Sequence, residues 1–391
     1  MSLGFPELPG VAGVLEAGVR EGIAPAAAAA VLRHGELVHR GSWGAAELAP
    51  ARRELEGGEL FDTASLTKVA VTATAAALLV AEGRLSLDEP LARYLPGFEA
   101  SGKERVTVRE LLAHSSGLPA WRAYYERARS DPEAGPAFLP PGKRPQRLAG
   151  AFARGRALVR QATCAEPLEA PPGTRSLYGD PAFLALGFAI EGVAGSSLDA
   201  FFADRVARPL GLEDAIFVDE ARRGEGRAPP RRFAATERCE HRGEVNCGAV
   251  NDDNAYAVGG VAGHAGLFAT AADLARIGGA WLGALAGRPG ILDPAVAREF
   301  ARRDGIPGST RALGWDTPTP GRSALGSRLG RGPKGALGHL GYTGCSIWLD
   351  LDRDLACVLL TNHVHPDGRR PAEILGFRQR FHDAVGEAVG A

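Results

Sequence analysis

Apolar residues are densest from Val69 to Ala81, VAVTATAAALLVA, a run with no charge and two threonines that ends at Glu82 and Gly83. A helix apolar on every side is a buried one. At thirteen residues the run is too short to cross a bilayer, so it predicts the central helix of a soluble domain. Before it, Val11, Val14, Leu15 and Val19 have helical spacing that breaks at Gly22 and Pro25. Ala26 to Arg33 and Leu37 to Trp43 flank His34-Gly35-Glu36, the pattern of an antiparallel hairpin. Residues 45 to 58 read as polar loop. Thr107-Val108-Arg109-Glu110 is a capping box opening a short helix through Ala113.

Residues 120 to 170, rich in Pro, Arg and Gly around one helical patch near 148 to 159, read as an insertion over the mouth of a site. Asp180-Pro181 ahead of Phe183, Leu184, Leu186, Phe188 and Ile190 reads as an N-cap and first helical residue, with Gly195 as the stop. Further helices are expected over 197–206 and from a Thr270 cap to about Leu282, with charged loop up to Arg232 and loop again over 304–337. Ser346 to Asp350 and Leu355 to Thr361 form a second hairpin, and Ile374, Phe377, Phe381 and Val385 mark a terminal amphipathic helix. Strands at both ends with helices between predict one domain over residues 10–385. In it, about 10–60 and 338–390 make a sheet-containing α/β lobe, and about 61–337 a mostly helical lobe.

Composition narrows the function classes. A formal net charge of −1 gives no electrostatic case for nucleic acid or an anionic membrane. Five widely spaced cysteines are not a disulfide framework. Cys239, His241 and Cys247 match no standard zinc module, so no metal and no cofactor is expected; a Cys239–Cys247 disulfide or free thiols are the alternatives. The first residues carry no basic stretch followed by an apolar core, so the chain as written reads as cytoplasmic, or as periplasmic or secreted if a leader has been removed.

The candidate chemistry stands at the mouth of the apolar run. Ser65 and Lys68, three apart, share a helical face where the first backbone N–H groups lack intrahelical partners. Burial and the positive end of the helix dipole both disfavour an ammonium, so Lys68 is expected to be depressed and able to accept the serine proton. The bland alternative is an N-cap serine beside a solvated lysine. Lysine is scarce here: Lys68, Lys103, Lys143 and Lys334 are the four, and every other basic residue is arginine. Tyr178, in the turn before Asp180, is a candidate proton relay, whereas His114, at a helix end, reads as structural.

Ser65-x-x-Lys68, Tyr178-x-Asp180 and Gly338-His339-Leu340-Gly341-Tyr342-Thr343-Gly344 together resemble the three-motif signature of the penicillin-recognising serine hydrolases. The likeness is to the branch holding class C β-lactamases, D-alanyl-D-alanine carboxypeptidases, esterases and D-aminopeptidases. LLAHSSGLP, PPGT, GGVAGHAGLF and LLTNHVHP look like that branch too. The resemblance implies a β-lactamase/transpeptidase-like fold, an antiparallel sheet flanked by helices beside an all-helical lobe. It implies Ser65 as acyl-enzyme nucleophile, Lys68 and Tyr178 sharing the proton transfer, and backbone N–H groups of Ser65 and Tyr342 as oxyanion hole. Asp180, His339, Gly341 and Tyr342 would line the substrate.

Three departures shift the expected substrate. Leu340 replaces a threonine that helps bind a substrate carboxylate, His339 replaces a lysine and is expected to be partly charged near neutrality, and Asp180 replaces a neutral asparagine. A small-molecule ester or amide with an uncharged or cationic acyl partner is then favoured over a β-lactam. The rival from another class is a non-catalytic binding or assembly module on the same fold. The oligomeric state is not legible.

Overall fold

Strands from the two ends of the chain interleave in one antiparallel sheet. The computed structural model describes residues 8–226, 232–319, 321, 323–368 and 371–390. The strands are β1 (Ala26–Arg33), β2 (Glu36–Glu47), β3 (Arg53–Glu54), β4 (Ala336–Leu340), β5 (Ser346–Asp350) and β6 (Leu355–Thr361), in the order β3-β2-β1-β6-β5-β4. His34 and Gly35, with φ of 51° and 84°, turn the first hairpin in the left-handed region that tight β-hairpins need. β2 runs on to Glu47 and pairs with β3, so the stretch expected to be polar loop supplies a sheet edge instead.

The central strand β1 is apolar on both faces because both faces are covered. Ala26, Ala28, Ala30 and Leu32 join the larger core, whereas Ala27, Ala29 and Val31 pack in a second core with Val11, Leu15, Phe377 and Phe381. Helices α1 (Val11–Arg20) and α5 (Pro371–Ala388) supply that second core. α4 (Ala271–Leu285), capped by Thr270, packs on β1 and β6 from the other side. One helix of the middle segment therefore belongs with the sheet.

The apolar run is a composite helix. Ala64–Leu66 is a 3₁₀ turn, Lys68–Ala73 a π-helical stretch and α2 (Thr74–Ala81) regular. Its two threonines are satisfied inside the core: Thr72 Oγ1 donates to the Gly263 carbonyl at 2.5 Å and Thr74 Oγ1 to the Val69 carbonyl at 2.8 Å. π turns of this kind are frequent at functional sites. The helical segment is 18 residues rather than thirteen and meets the length and apolarity of a membrane span, but 83% of it is buried inside the protein. It is a core helix.

The capping box at Thr107 forms as expected, and α3 (Pro181–Ala194) stops at Gly195 with φ 73°. The insertion is more structural than its composition implies. Its helices Tyr125–Ser130 and Ala149–Ala165 pack on each other, and the longer one packs on α3; of this stretch Trp121 lines the cleft. The charged loop ending at Arg232 contains a short helix, Glu220–Gly224, with Arg223 held between Glu220 and Glu244; residues 227–231 lie outside the described residues.

Candidate active site

The Ser65 turn is built on strain that its neighbours hold in place. Ala64 has φ 48°, unusual for a residue with a side chain. The buried Asp62 carboxylate accepts the Ala64 N–H at 2.8 Å and the Asn251 N–H at 2.7 Å, and Thr67 Oγ1 closes the turn on the Ala64 carbonyl at 2.7 Å. Burial pushes the Asp62 carboxyl up to about 6. The folded state therefore binds this proton more tightly than the unfolded chain, and stability is lost as pH rises from about 4 through 6. The native protein's stability relative to Asp62→Asn should fall by about 3 kcal/mol between pH 4 and pH 7 in denaturant titrations. A difference independent of pH would contradict this.

The three motif segments meet in a cleft of about 620 Å³ lined by Ser65, Tyr178, Asp180, His339, Gly341 and Tyr342. Lys68, fully buried, places Nζ 2.9 Å from Ser65 Oγ, 2.7 Å from Asp180 Oδ1 and 3.3 Å from the His264 carbonyl. Two expectations fail at this point. Burial does work to lower Lys68, but the Asp180 carboxylate and the Tyr178 hydroxyl outweigh it, and the lysine is raised above its ordinary value rather than depressed. Lys68 is an ammonium in the resting protein. Asp180 is also no N-cap by its side chain, because the carboxylate is committed to Lys68.

Tyr178 lies over this pair. The Lys68 ammonium is 5.0 Å from the Tyr178 ring centroid, and the Arg311 guanidinium is also 5.0 Å from it. His114 packs against Tyr178 and Phe183, with centroids at 4.7 and 4.9 Å, and its Nδ1 accepts the Gly179 N–H at 3.2 Å. It is a structural residue beneath the tyrosine. His339, on β4, is buried, and burial together with the Lys68 and Arg311 charges holds its pKa well below the ordinary histidine value. Its imidazole is therefore neutral rather than partly charged near pH 7. The cleft is also lined by an arginine the motifs did not reveal, Arg311, which sits 3.5 Å from Asp316.

The end of β4 is drawn against the Ser65 turn. A Cβ on Gly341 would stand 2.6 Å from the Thr63 carbonyl, so glycine is required for this approach. Thr343 Oγ1 donates to the Asp62 carbonyl at 2.8 Å. From α5, the buried Arg378 donates to the carbonyls of Gly341, Gly344 and Cys345 at 2.7, 3.0 and 2.8 Å. One guanidinium thus braces the turn that carries Tyr342. Sequence reasoning passed over it, although Arg378 lies four residues after Ile374, within the apolar stripe of a helix.

Among the described residues, Asp180, Asp252 and His264 form the one group whose donor atoms cluster closely enough to hold a metal, within 4.8 Å of one another. Lys68 Nζ already supplies the positive charge beside Asp180, and His264 Nε2 is 2.8 Å from Asp252 Oδ1. Although burial opposes it, His264 and Lys68 keep Asp252 below the usual carboxylate value. Cys239 and Cys247 are both free thiols with separate neighbours, Arg242 Nε at 3.1 Å from the first and Arg53 Nη2 at 3.9 Å from the second.

Known proteins resemble this chain over most of its length. The sequence profile described as Beta-lactamase matches residues 11–377. A putative D-alanyl-D-alanine carboxypeptidase of Escherichia coli K12 is 30% identical over 369 residues, covering 86% of this chain and 77% of the relative. An N-acetylmuramyl-L-alanine amidase of Bacillus subtilis 168 is 27% identical over 374 residues, covering 89% and 79%. The crystal structure of a family VIII carboxylesterase superposes with a TM-score of 0.69 over 99% of both chains at 20% identity, which speaks for the fold. With the mixed helix-and-sheet fold, the Ser-x-x-Lys turn and these relatives in agreement, the chain belongs to the β-lactamase family and is a hydrolase of that fold.

Proposed function

We propose that this hydrolase cleaves an ester or amide through an acyl-enzyme on Ser65. The observation that carries the reading is the contact of Lys68 Nζ with Ser65 Oγ at 2.9 Å in a cleft large enough for a small molecule. Because Lys68 is an ammonium, it enters the attack as a donor that stabilises negative charge on Ser65 Oγ. Tyr178, whose ring lies 5.0 Å from Lys68 Nζ, is the group the arrangement offers to take up the Ser65 proton. Ser65 Oγ bonds to the carbonyl carbon and the oxyanion turns toward the backbone N–H groups of Ser65 and Tyr342, each such donor being worth about 3 kcal/mol. Collapse breaks the bond to the alcohol or amine, which leaves with the proton from Tyr178, and water then repeats the sequence to free the acid.

The curated relatives carry the names of amide-bond hydrolases and the structural neighbour that of an esterase. Leu340 in place of a hydroxyl donor and a neutral His339 weaken support for a β-lactam carboxylate, which favours ester or amide substrates of other kinds. Intact-protein mass spectrometry tests the reading with two reagents, a neutral activated ester and a penicillin. The expected result is an acyl adduct from the ester, mapped to the peptide containing Ser65 and absent from Ser65→Ala. A lasting penicillin adduct would mark a penicillin-binding enzyme, and drug hydrolysis with little adduct a β-lactamase. Ester hydrolysis at the same rate in Ser65→Ala would overturn the assignment.

A further inference from the structure

A second cavity, of about 590 Å³, opens at the other end of β4. Ala336 and Leu337 line it, whereas His339 and Leu340 line the Ser65 cleft, and the two spaces share no lining residue. Its walls carry three cations, Arg303, Arg331 and Lys334, against one carboxylate, Asp383. Part of the reason lies in the sequence: residues 317–349 contain no Asp or Glu but hold Arg322, Arg328, Arg331 and Lys334, the last being one of only four lysines in the chain. The rest is tertiary. The carboxylates that reach this loop are engaged by its backbone. Asp383 Oδ1 accepts the N–H groups of Ser327 and Arg328 at 2.6 and 3.1 Å, Asp350 Oδ2 that of Gly330 at 2.8 Å, and Asp352 Oδ2 those of Lys334 and Gly335 at 3.1 and 3.2 Å. Among the described residues, no carboxylate lies within ion-pair distance of Arg303, Arg331 or Lys334. Arg331 Nε donates to the Ser327 carbonyl at 3.0 Å, and Arg303 Nε to the hydroxyl of the buried Thr317 at 2.8 Å, so two of the three cations are held at the wall by neutral acceptors.

We propose that this cavity is a second binding site, separate from the Ser65 cleft, for a small multiply charged anion of the phosphate class, held by Arg303, Arg331 and Lys334. Like charges around one cavity repel each other unless something neutralises them, and here the protein's own carboxylates are turned to backbone donors instead. A phosphate group answers both needs of such a wall: it spreads its charge over several oxygens, which suit the guanidinium forks, and it accepts from a lysine ammonium as a point charge. A lone carboxylate would leave most of the cationic charge unmatched, so the site should favour an anion with more than one ionised group. Ser323, Ser327 and Gln379 line the same cavity and add neutral polar groups for the rest of the ligand. The whole-chain net charge of −1 conceals this local excess, because it averages an acid-free stretch with acidic ones elsewhere. The site stands whether or not Ser65 forms an acyl-enzyme.

Calorimetry on the full-length protein, in a low-salt buffer free of phosphate and sulfate, tests this with pyrophosphate and orthophosphate as probes. Pyrophosphate should bind with one site per chain and about tenfold more tightly than orthophosphate, and the affinity should fall as salt is added. Arg331→Gln and Lys334→Gln should each weaken it about fivefold to tenfold, and Arg331→Gln/Lys334→Gln about fiftyfold or more. Arg311→Gln in the Ser65 cleft and Lys143→Gln on another part of the surface should stay within about twofold of the native affinity, with thermal melts confirming that every variant is folded. Three results would overturn the proposal: no pyrophosphate binding, binding that survives Arg331→Gln/Lys334→Gln, or an equal loss in Arg311→Gln, which would put the anion in the cleft. A stoichiometry well above one, or equal affinity for the two probes, would mark diffuse attraction to the surface and overturn it as well.

Discussion

Turnover of a neutral activated ester by Lys68→Ala should fall about a thousandfold or more, with KM changed little. Lys68 touches Ser65 Oγ and Asp180 Oδ1 at 2.9 and 2.7 Å, so truncation removes the donor proposed to stabilise Ser65 Oγ in the attack and leaves Asp180 without its cation. Groups that move or stabilise the reacting proton contribute about 10²- to 10⁴-fold, and an uncompensated carboxylate beside a developing alkoxide adds a repulsive term. Asp180 keeps some solvent access, with its side chain 19% exposed, so the loss in stability should stay below that of a completely buried broken pair. Steady-state kinetics and thermal melts on the same preparation check both points. A folded Lys68→Ala protein within tenfold of the native rate would remove Lys68 from the mechanism.

The second large effect is expected outside the Ser65–Lys68 pair, at Arg378→Ala. The three carbonyls that Arg378 holds are buried with it; those of Gly341 and Cys345 also accept a backbone N–H, so Arg378→Ala removes three charge-assisted bonds at about 1.5–3 kcal/mol each. A total of several kcal/mol should lower the melting temperature by about 5 °C in a chain of this size. Because those carbonyls flank Tyr342, the turn should also loosen and turnover fall about a hundredfold, the scale on which one oxyanion donor acts. Arg378→Lys separates the two roles: a single ammonium cannot span all three carbonyls, so it should recover part of the stability and little of the rate. If Arg378→Ala, assayed well below its melting point, kept the native rate, the brace would be structural only.

Much of the fold was legible because it rests on local patterns. The hairpin around His34-Gly35, the Thr107 capping box, the Pro181 and Gly195 limits of α3 and the apolar stripe of α5 each follow from turn chemistry or periodicity within a few residues. The pieces that were missed lack such local signals. β3 is two residues held by the edge of β2, and residues 120–170 read as a site cover because they are rich in Pro, Arg and Gly, although the helix marked by the patch at 148–159 runs over Ala149–Ala165 and packs on α3.

The site divides along the same line. That Ser65 and Lys68 share one face at the mouth of an apolar run is a property of spacing, and the order of the three motifs is a property of the chain; both were determined by the sequence alone. The charge on Lys68 was not, because it depends on whether burial or a carboxylate wins, and Asp180 stands 112 positions away in the chain yet 2.7 Å away in space. The neutrality of His339, the entry of Arg311 into the cleft and the hold of Arg378 on the Tyr342 turn are likewise tertiary facts. Electrostatic energy depends on distance and local dielectric, and neither is written in the spacing of residues along a chain.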